Sequence, residues 1–527
     1  MYLTIDRLDE VGNITDVPAW ATPPNAVTFT KNVVFDDGAV RKSRGWALAY
    51  DAVAAQAWLQ DFNDNARQRL MYITDEPRMF DFNADGSEVD ISPAVAMNSS
   101  IAWDSMAYSD HVIITNSIDE PHYYNDLNND PAAATFVPLS AVSDWPSDWS
   151  CKQIRWFNNV LIALNLEKGG VENPNLVQWS DIVAEDEAPP SWDETDPTKL
   201  AGSNLVGAND SPIVGGEQLR DAFIIYTNTS AYSMTRSGDT TFLYNFRKLF
   251  SHGMSAPHGV VQFNMFHFVV GDGLLYAHDG NRVTYVADHK INNKFFNDVT
   301  DLNHLNITND RKNGNVLVAY SDRDDEADPY PNRVLIWNYR DDTWSFQDLG
   351  GTRFVRGLYG PVATGGGNTT WNNVDPAGLQ WNQVQIPWSG TAPSQEASFL
   401  HFGTRTTAIN RVQRVFLRNN ANYDAEANRQ YIDLTDLIKD GGTGVRHIKR
   451  MVPKIEGEGT VLISAGVSMA PGIPMTWTAP VPFVIESDYK VDLRISGRYL
   501  GWRIQSVADG YWSLTSIGLD IEDASER

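Results

Sequence analysis

Residues 213–250, IVGGEQLRDAFIIYTNTSAYSMTRSGDTTFLYNFRKLF, decide the fold class of this chain because they contain four short strand-like segments in succession. The segments are IVGGEQLRD, AFIIYTN, SAYSMTR and LYNFRKL, and the second, with Phe223 to Tyr226 at its centre, is strongly apolar. Short runs of β-branched and aromatic residues bounded by Gly, Asn, Asp or Ser are typical of antiparallel strands. The stretch therefore predicts one four-stranded antiparallel sheet.

Similar clusters of strands recur along the chain at intervals of roughly 40–50 residues, a spacing typical of propeller blades. A four-stranded unit cannot bury both of its faces alone, and radial stacking of several units also protects the sheet edges. The sequence therefore predicts an all-β fold, a β-propeller of about six blades with a C-terminal β-sandwich-like domain. Six clusters are recognisable, at residues 57–92, 100–139, 152–181, 213–249, 259–288 and 304–349.

The rhythm of strands also predicts the domain organisation. The last part has cleanly alternating strands, as in a sandwich with one buried face per sheet. Before it, GPVATGGGNTTWNNVDPAGLQWNQVQIPWSG reads as a projecting loop or hairpin insertion, and YIDLTDLIKDGG as a short helix ended by glycine. The predicted parts are an N-terminal arm with first strands (1–50), propeller blades (51–350), the insertion (351–400), returning strands with the helix (401–442) and the sandwich-like domain (443–527).

The charge balance and the single cysteine exclude several classes of protein. With 41 basic and 67 acidic residues the net charge is -26, which disfavours binding to nucleic acid by charge neutralisation. The start of the chain lacks the basic and apolar regions of a signal peptide, and no apolar run is long enough to span a membrane. Cys151 has no intrachain partner and is interpreted as a buried structural thiol.

No pattern of residues predicts catalysis, and we expect no catalytic residue, cofactor or metal. HExxH, GxSxG and P-loop motifs are absent from the sequence. DFNADG places Asp81, Asn83, Asp85 and Gly86 as in a calcium loop, but Ser92 stands at the twelfth position, so a hairpin turn is favoured. The acidic run from Asp322 to Asp328 is interpreted as a solvated hairpin tip. His252 and His258 flank a turn, and His267, in an apolar strand, is interpreted as a core histidine.

Two segments at opposite ends of the chain carry a family resemblance. NVVFDDGAVRKSRGW near the start and ISGRYLGWRIQSVADGYWSLTSIGLDIED at the end resemble the opening and closing motifs of tail nozzle proteins of short-tailed, podovirus-like bacteriophages. That family includes the packaged-DNA stabilisation proteins. The matching residues are Asn32, Gly38, Arg41 and Gly45 in the first segment and Gly497, Arg498, Tyr499, Trp502 and Trp512 in the second.

The resemblance implies a structural part of a phage tail that conducts or retains packaged DNA. It implies a homohexameric ring below the portal and adaptor, other tail proteins as partners, and transient passage of double-stranded DNA. The protein would be made in the host cytoplasm and reside in the virion, and the acidic excess would keep DNA from adhering to the channel wall. Alternatively, Tyr499, Trp502 and Trp512 are simply core aromatics of a sandwich.

Two other functions remain open from the sequence. An extracellular carbohydrate-binding or carbohydrate-cleaving propeller would use aromatic and acidic side chains, with Trp371, Trp381 and Trp388 as candidates in the insertion. A receptor-binding tail fibre or similar adhesin is the other. Stable ring assembly favours the tail component, and glycan binding favours the carbohydrate-binding propeller.

Overall fold

The computed structural model describes most of the chain and shows the predicted all-β architecture. It covers residues 1–523, without 44–45, 64–67, 83–86, 101, 126–133, 185–186, 189, 208–209, 239–242, 324–328, 349–352, 361–398, 406–407, 413–423, 434–443 and 507–509. Within this part, no helix is both long and apolar enough to cross a membrane. The chain divides into two compact units, residues 1–46, 261–352 and 413–527 (unit 1) and residues 47–260 and 353–412 (unit 2).

Unit 2 contains five four-stranded antiparallel sheets of the propeller type. Four of them are built from consecutive strands: β6 (Gln56–Asn63), β7 (Gln68–Thr74), β8 (Met79–Phe82), β9 (Glu88–Asp90); β10 (Asp104–Tyr108), β11 (His111–Thr115), β12 (His122–Asn125), β13 (Val137–Pro138); β14 (Trp149–Phe157), β15 (Val160–Lys168), β16 (Val171–Trp179), β17 (Gly202–Leu205); and β18 (Ile213–Leu219), β19 (Ala222–Thr227), β20 (Ala231–Arg236), β21 (Tyr244–Phe250). A 3-10 turn at Ala19–Ala21 in unit 1 and another at Leu139–Ala141 here interrupt the loops.

The fifth sheet of unit 2 joins strands that are far apart in the sequence. Its order is β30 (Phe354–Gly360), β31 (Phe399–Thr404), β32 (Ala408–Val412) and β5 (Trp46–Asp51). A strand near the start of the chain therefore completes a sheet whose other three strands follow residue 353. No local repeat in the sequence reveals such a sheet, which is why sequence analysis counted about six units where the described chain forms seven.

Unit 1 contains the remaining two propeller-type sheets and one short helix. The sheets are β22 (Val260–Phe263), β23 (Phe266–Val270), β24 (Leu275–His278), β25 (Val283–Tyr285) and β26 (Asn306–Asp310), β27 (Asn315–Tyr320), β28 (Arg333–Asn338), β29 (Thr343–Asp348). Helix α1 (Asn292–Asp298) lies between them in the chain, and the carboxylate of Asp16 accepts hydrogen bonds from the backbone N–H groups of Asn293 and Lys294 at 2.7 and 3.0 Å. All six predicted clusters are thus confirmed as sheets.

The β-sandwich is also part of unit 1, and both ends of the chain build it. One sheet has the order β3-β4-β40-β34-β38 with β1 on β40, and the other β2-β33-β39-β35-β36 with β37 on β35. The strands are β1 (Tyr2–Ile5), β3 (Val33–Asp36), β4 (Ala39–Lys42), β34 (Arg446–Gly457), β38 (Val491–Gly497), β40 (Trp512–Asp523), and β2 (Phe29–Lys31), β33 (Glu426–Asp433), β35 (Thr460–Ser468), β36 (Thr476–Trp477), β37 (Val481–Val484), β39 (Tyr499–Ser506).

Several predicted boundaries therefore change. The sandwich begins with the strands of the predicted arm instead of at residue 443, because these strands supply hydrogen-bond partners and core residues such as Val33, Phe35 and Val40. Residues 431–433 of the predicted short helix are strand, as the end of β33, and the rest of that segment lies outside the described residues. The predicted insertion begins with strand β30, and its residues 361–398, including Trp371, Trp381 and Trp388, also lie outside them.

Candidate functional site

The residues that carry the family resemblance come together in the sandwich of unit 1. Strand β4 pairs directly with β40, so that Val40 lies opposite Leu514 and Arg41 opposite Ser513. Trp502 and Trp512 are buried in the core between the sheets, with 0% and 1% of their surface exposed. Their interpretation as core aromatics agrees with this burial, so these two residues stabilise the sandwich.

Asn32, between β2 and β3, connects distant segments of unit 1 by hydrogen bonds. Its side chain donates to the carbonyl oxygen of Asp424 at 2.8 Å and accepts from the backbone N–H of Asp348 at 2.7 Å. Its backbone is in the left-handed region, with φ of 55°, a conformation that asparagine tolerates better than most residues. Asn32 therefore joins the start of the sandwich to the last strand of the sheet β26–β29.

The other motif residues also have structural surroundings. Gly38 follows Asp37 in a tight turn in which both residues have positive φ, and Arg41 forms ion pairs with Asp36 and Asp37 at 3.1 and 3.3 Å. A Cβ at Gly497 would lie 2.5 Å from that of Val467. The Arg498 guanidinium lies 5.4 Å from the ring centre of Tyr499, which is buried, and Gly45 lies outside the described residues.

A second group of residues, in unit 2, brings together charged and polar side chains that could bind a ligand, and we call it the polar cluster. It consists of Asp104, Arg155, Glu217, His258 and Arg356. Four of them lie on the first strands of their sheets, β10, β14, β18 and β30, and His258 lies just before β22. The first strands β10, β14 and β18 pack against their neighbours in this order, which brings side chains from distant parts of the sequence together.

An ion-pair network forms the centre of the polar cluster. Arg155 binds Asp104 through both terminal nitrogens, at 2.5 and 3.0 Å, in the bidentate geometry that guanidinium and carboxylate favour. The Nε atom of Arg155 lies 3.6 Å from Oε2 of Glu217, and Nδ1 of His258 lies 3.8 Å from Oδ1 of Asp104. Asp104 is thus held firmly, whereas in the described part of the chain Glu217 has no cation within hydrogen-bond distance.

Arg356 packs against the polar cluster, and one of its terminal nitrogens is held by the protein. Its Nη1 donates to the carbonyl oxygen of Leu59, to Oε1 of Gln60 and to Oγ of Ser105, each at 3.0 Å. The guanidinium lies 4.3 Å from the ring centre of Trp58, whose ring centre is in turn 4.7 Å from that of His258. The contacts fix the indole and the imidazole against the cation.

The electrostatics of the polar cluster distinguish Glu217 from its neighbours. Burial raises the pKa of the Glu217 carboxyl, and the charge of Arg155, which is already paired with Asp104, does not offset this effect. Even so, 37% of the Glu217 side chain is reached by water, against 3% for Asp104 and 16% for Arg155. Glu217 is therefore a carboxyl close to surrounding protein that solvent still reaches. Burial also lowers the pKa of Arg356 to about 10.

His258 makes the stability of the protein depend on pH. Burial lowers its pKa from 6.5 to about 4, so the unfolded chain binds more protons than the folded one between these values. Stability should therefore fall as the pH drops from 6.5 to 4, by about 3 kcal/mol from this group.

Urea unfolding across this pH range measures the contribution of His258 to stability. His258→Asn should reduce the slope, and His289→Asn, at a side chain that is 86% exposed, should leave it unchanged; equal slopes in all three proteins would contradict the assignment.

The polar cluster could not be found from sequence because its members are spread over more than 250 residues. The only sequence signal was a charged or polar residue on the first strand of several clusters, a signal that an acidic chain produces by chance. His258 belongs to the cluster, whereas His267 is buried elsewhere, in β23. Cys151 is buried as predicted, and burial raises the pKa of its thiol.

The suspected metal-binding sequences have other roles where the structure describes them. Asp81 is fully buried in an ion pair with Arg69, and β8 and β9 form the predicted hairpin, whose tip with Asn83, Asp85 and Gly86 lies outside the described residues. Asp322 is buried beside Arg333 at 2.5 Å instead of facing solvent, and residues 324–328 are likewise not described. No group of three or more His, Cys, Asp or Glu residues in the described chain is placed to hold a metal ion.

Comparisons with known proteins do not identify the chain. No protein-family model matches it, and no curated protein does. Among solved structures, it is similar to the extracellular domain of a putative one-component system from B. thetaiotaomicron, at 8% identity and a TM-score of 0.35, over 77% of this chain and 42% of that one. It is also similar to the N-terminal domain of Nup159, at 9% identity and a TM-score of 0.38, over 73% of this chain and 99% of that one. Similarities of this size assign no function.

Proposed function

We propose that this protein is a β-propeller recognition protein that binds a neutral, hydroxyl-rich ligand, such as a carbohydrate, without catalysing its cleavage. The observation that carries this proposal is Glu217, a solvent-accessible carboxyl whose pKa is raised by burial and which has no hydrogen-bonded cation among the described residues. Such a group is available to accept hydrogen bonds from ligand hydroxyls. Pockets that combine a few fixed polar groups with aromatic walls are the usual form of a ligand site.

The charges of the polar cluster favour a neutral ligand over an anion. Arg155 is paired with Asp104 through both terminal nitrogens and so offers no free fork to a phosphate or carboxylate, and Nη1 of Arg356 is taken up by three oxygens of the protein. Glu217 itself would repel an anion, and the net charge of the chain is -26. Neutral hydroxyl groups are not repelled by the Glu217 carboxylate or by the net negative charge of the chain.

The same geometry argues for binding rather than cleavage. Hydrolysis of a glycosidic bond generally uses two carboxyl groups, one as an acid and the other as a nucleophile or base. In the polar cluster the second carboxylate, Asp104, is 3% exposed and held by both terminal nitrogens of Arg155. It is therefore not free to attack a sugar or to activate water.

A glycan array followed by calorimetry tests this function. We expect the full chain to bind neutral glycans, Glu217→Gln to lose affinity by roughly tenfold, since one lost charged acceptor is worth about 1.4 kcal/mol or more, and Glu172→Gln, at an exposed site, to bind normally. Reducing-sugar assays on bound glycans should show no release. Binding that is insensitive to Glu217, or turnover abolished by Glu217→Gln, would refute the proposal.

A structural component of a phage tail nozzle is the second candidate, and one observation favours it. The two segments that resemble the nozzle family pair with each other in one sheet, through β4 and β40, although they come from opposite ends of the chain. They therefore form one structural unit, as a shared family motif requires. On this proposal the chain forms a homohexameric ring with portal, adaptor and tail partners, and its acidic surface lets DNA pass without adhering.

Assembly and DNA binding test the second candidate. We expect particles with six-fold symmetry and a central hole in negative-stain images, and no retention of duplex DNA at low salt. A monomer in the presence of its partner ring would count against a tail role. Retention of DNA that weakens steeply with salt would count against the acidic-channel explanation.

A further inference from the structure

Trp20 in unit 1 is presented to solvent on a rigid support, and we infer that it is the stacking surface of a second carbohydrate-binding site. Its exposed fraction is 44%, and it is the only tryptophan in this exposure class among the described side chains. The indole N–H meets no hydrogen-bond acceptor within the described part of the chain. A free indole face beside a free N–H donor suits a pyranose ring, which offers C–H groups on its face and hydroxyls at its rim. We call Trp20, Tyr431 and Ile473 the Trp20 platform.

A buried arginine holds the turn that carries Trp20. Arg429 on β33 is 1% exposed and donates to the carbonyl oxygens of Ala19, Thr22 and Pro23 at 2.7, 2.9 and 3.2 Å. Burial lowers the pKa of this guanidinium to about 10, and no carboxylate in the described chain pairs with it. Burial of an unpaired cation is destabilising in itself. The hydrogen bonds from Arg429 fix the position of the 3-10 turn Ala19–Ala21.

Tyr431 packs against Trp20 and has an unusual backbone conformation. Its φ is 54°, which is rare for a bulky residue, and it lies at the irregularity where the pairing of β33 with β39 shifts between Arg429 and Ile432. The ring centres of Tyr431 and Trp20 are 6.0 Å apart in an edge-to-face arrangement, and the Tyr431 hydroxyl donates to the carbonyl oxygen of Ile473 at 2.6 Å. The ring centre of Tyr499 lies 6.3 Å from that of Tyr431. A bulge that turns one side chain out of the sheet is often found beside a binding site.

The surroundings of the Trp20 platform favour a neutral saccharide. Arg429, the cation that holds the turn, is occupied by backbone carbonyls and cannot bind an anionic group of a ligand. The overall charge of -26 further disfavours sulfated or sialylated chains. This site is separate from the polar cluster and does not depend on it. The aliphatic neighbour Ile473, which is 52% exposed, would pack beside the same apolar sugar face.

Fluorine NMR of the full chain labelled with 5-fluorotryptophan tests this site directly. Trp20→Phe identifies the Trp20 signal, and cellohexaose, maltohexaose and chitohexaose serve as probes, with a sialylated oligosaccharide for comparison. We expect at least one neutral hexaose to shift the Trp20 signal and the sialylated sugar to leave it unmoved. Trp20→Ala should weaken binding of that hexaose by roughly tenfold, while Tyr489→Ala, at another exposed aromatic residue that is 71% exposed, should bind as the wild type does.

The outcomes separate this inference from the function proposed for the polar cluster. A Trp20 signal that moves in Glu217→Gln as in the wild type supports an independent site. A signal that no neutral hexaose moves, or an unchanged affinity in Trp20→Ala, overturns the inference even if Glu217 proves essential for glycan binding. Loss of self-association in Trp20→Ala without any effect on sugars would also overturn it, since the platform would then be a protein interface.

Discussion

Replacement of Trp512 by alanine is expected to lower the free energy of unfolding by about 3–5 kcal/mol, the range found when a large buried aromatic side chain is removed. Trp512 is 1% exposed in the core between the two sheets of the sandwich, and its indole Nε1 donates to Oγ of Ser506 at 2.7 Å. The truncation leaves both a cavity and an unpaired hydroxyl. Because the chain has two compact units, the effect should appear in the unfolding transition of unit 1.

Urea unfolding followed by far-UV circular dichroism measures this loss. Trp20→Ala is the matched control, because this tryptophan is 44% exposed and its removal should change stability by less than about 1 kcal/mol. A similar small change for Trp512→Ala would show that the indole is not a core element. In that case, the pairing of the two chain ends would not stabilise the sandwich in the way argued above.

Replacement of Asp104 by asparagine should destabilise unit 2 by about 3–5 kcal/mol, because it removes the carboxylate that binds both terminal nitrogens of a nearly buried guanidinium. Arg155 is 16% exposed, and two of the three hydrogen bonds from its terminal nitrogens go to Asp104, the third to the carbonyl oxygen of Ile154 at 2.9 Å. An arginine guanidinium keeps its proton far above neutral pH, so the cation will not lose its charge to relieve the strain. The destabilisation should therefore persist throughout the neutral pH range, in which the wild-type Asp104 is ionised.

A double variant distinguishes the loss of a partner from the loss of an attractive pair. Asp104→Asn with Arg155→Met removes both charges, and we expect it to recover most of the stability, since buried ion pairs contribute little over apolar groups of similar volume. Asp492→Asn, which removes a 64% exposed partner of Lys490, should change stability by less than about 1 kcal/mol. A double variant as unstable as Asp104→Asn alone would show that the polar cluster is needed for packing beyond its charges.

The two ends of the chain show how far sequence could predict the fold. Alternation of apolar residues identified the C-terminal strands and the aromatic residues Trp502 and Trp512 as core candidates, because each face of a strand recurs every second residue. This alternation did not predict which strands pair with each other. Arg41 lies opposite Ser513 because β4 pairs with β40. This pairing depends on which edge of the sheet is open to β4 in the folded chain, and the local sequence of neither segment encodes it.

The Trp20 platform illustrates a second limit. Pro18, Pro23 and Pro24 marked an irregular segment in the sequence, and this much is true of the structure. No sequence pattern predicted that Arg429, about four hundred residues later, would hold this segment by its carbonyl groups. A hydrogen bond between a side chain and a distant backbone requires no particular residue at the accepting end, so it has no sequence signature.

The sequence by itself determined the local elements of this protein: six strand clusters, the tight turn at Gly38, the buried thiol of Cys151 and the acidic character of the surface. These depend on interactions between residues close together in the chain. The tertiary structure alone decided the seventh sheet, in which β5 completes β30 to β32, and the polar cluster of Asp104, Arg155, Glu217, His258 and Arg356. Both arise where strands from distant segments pack side by side, and a group acquires its pKa and its partners only after such packing has excluded water.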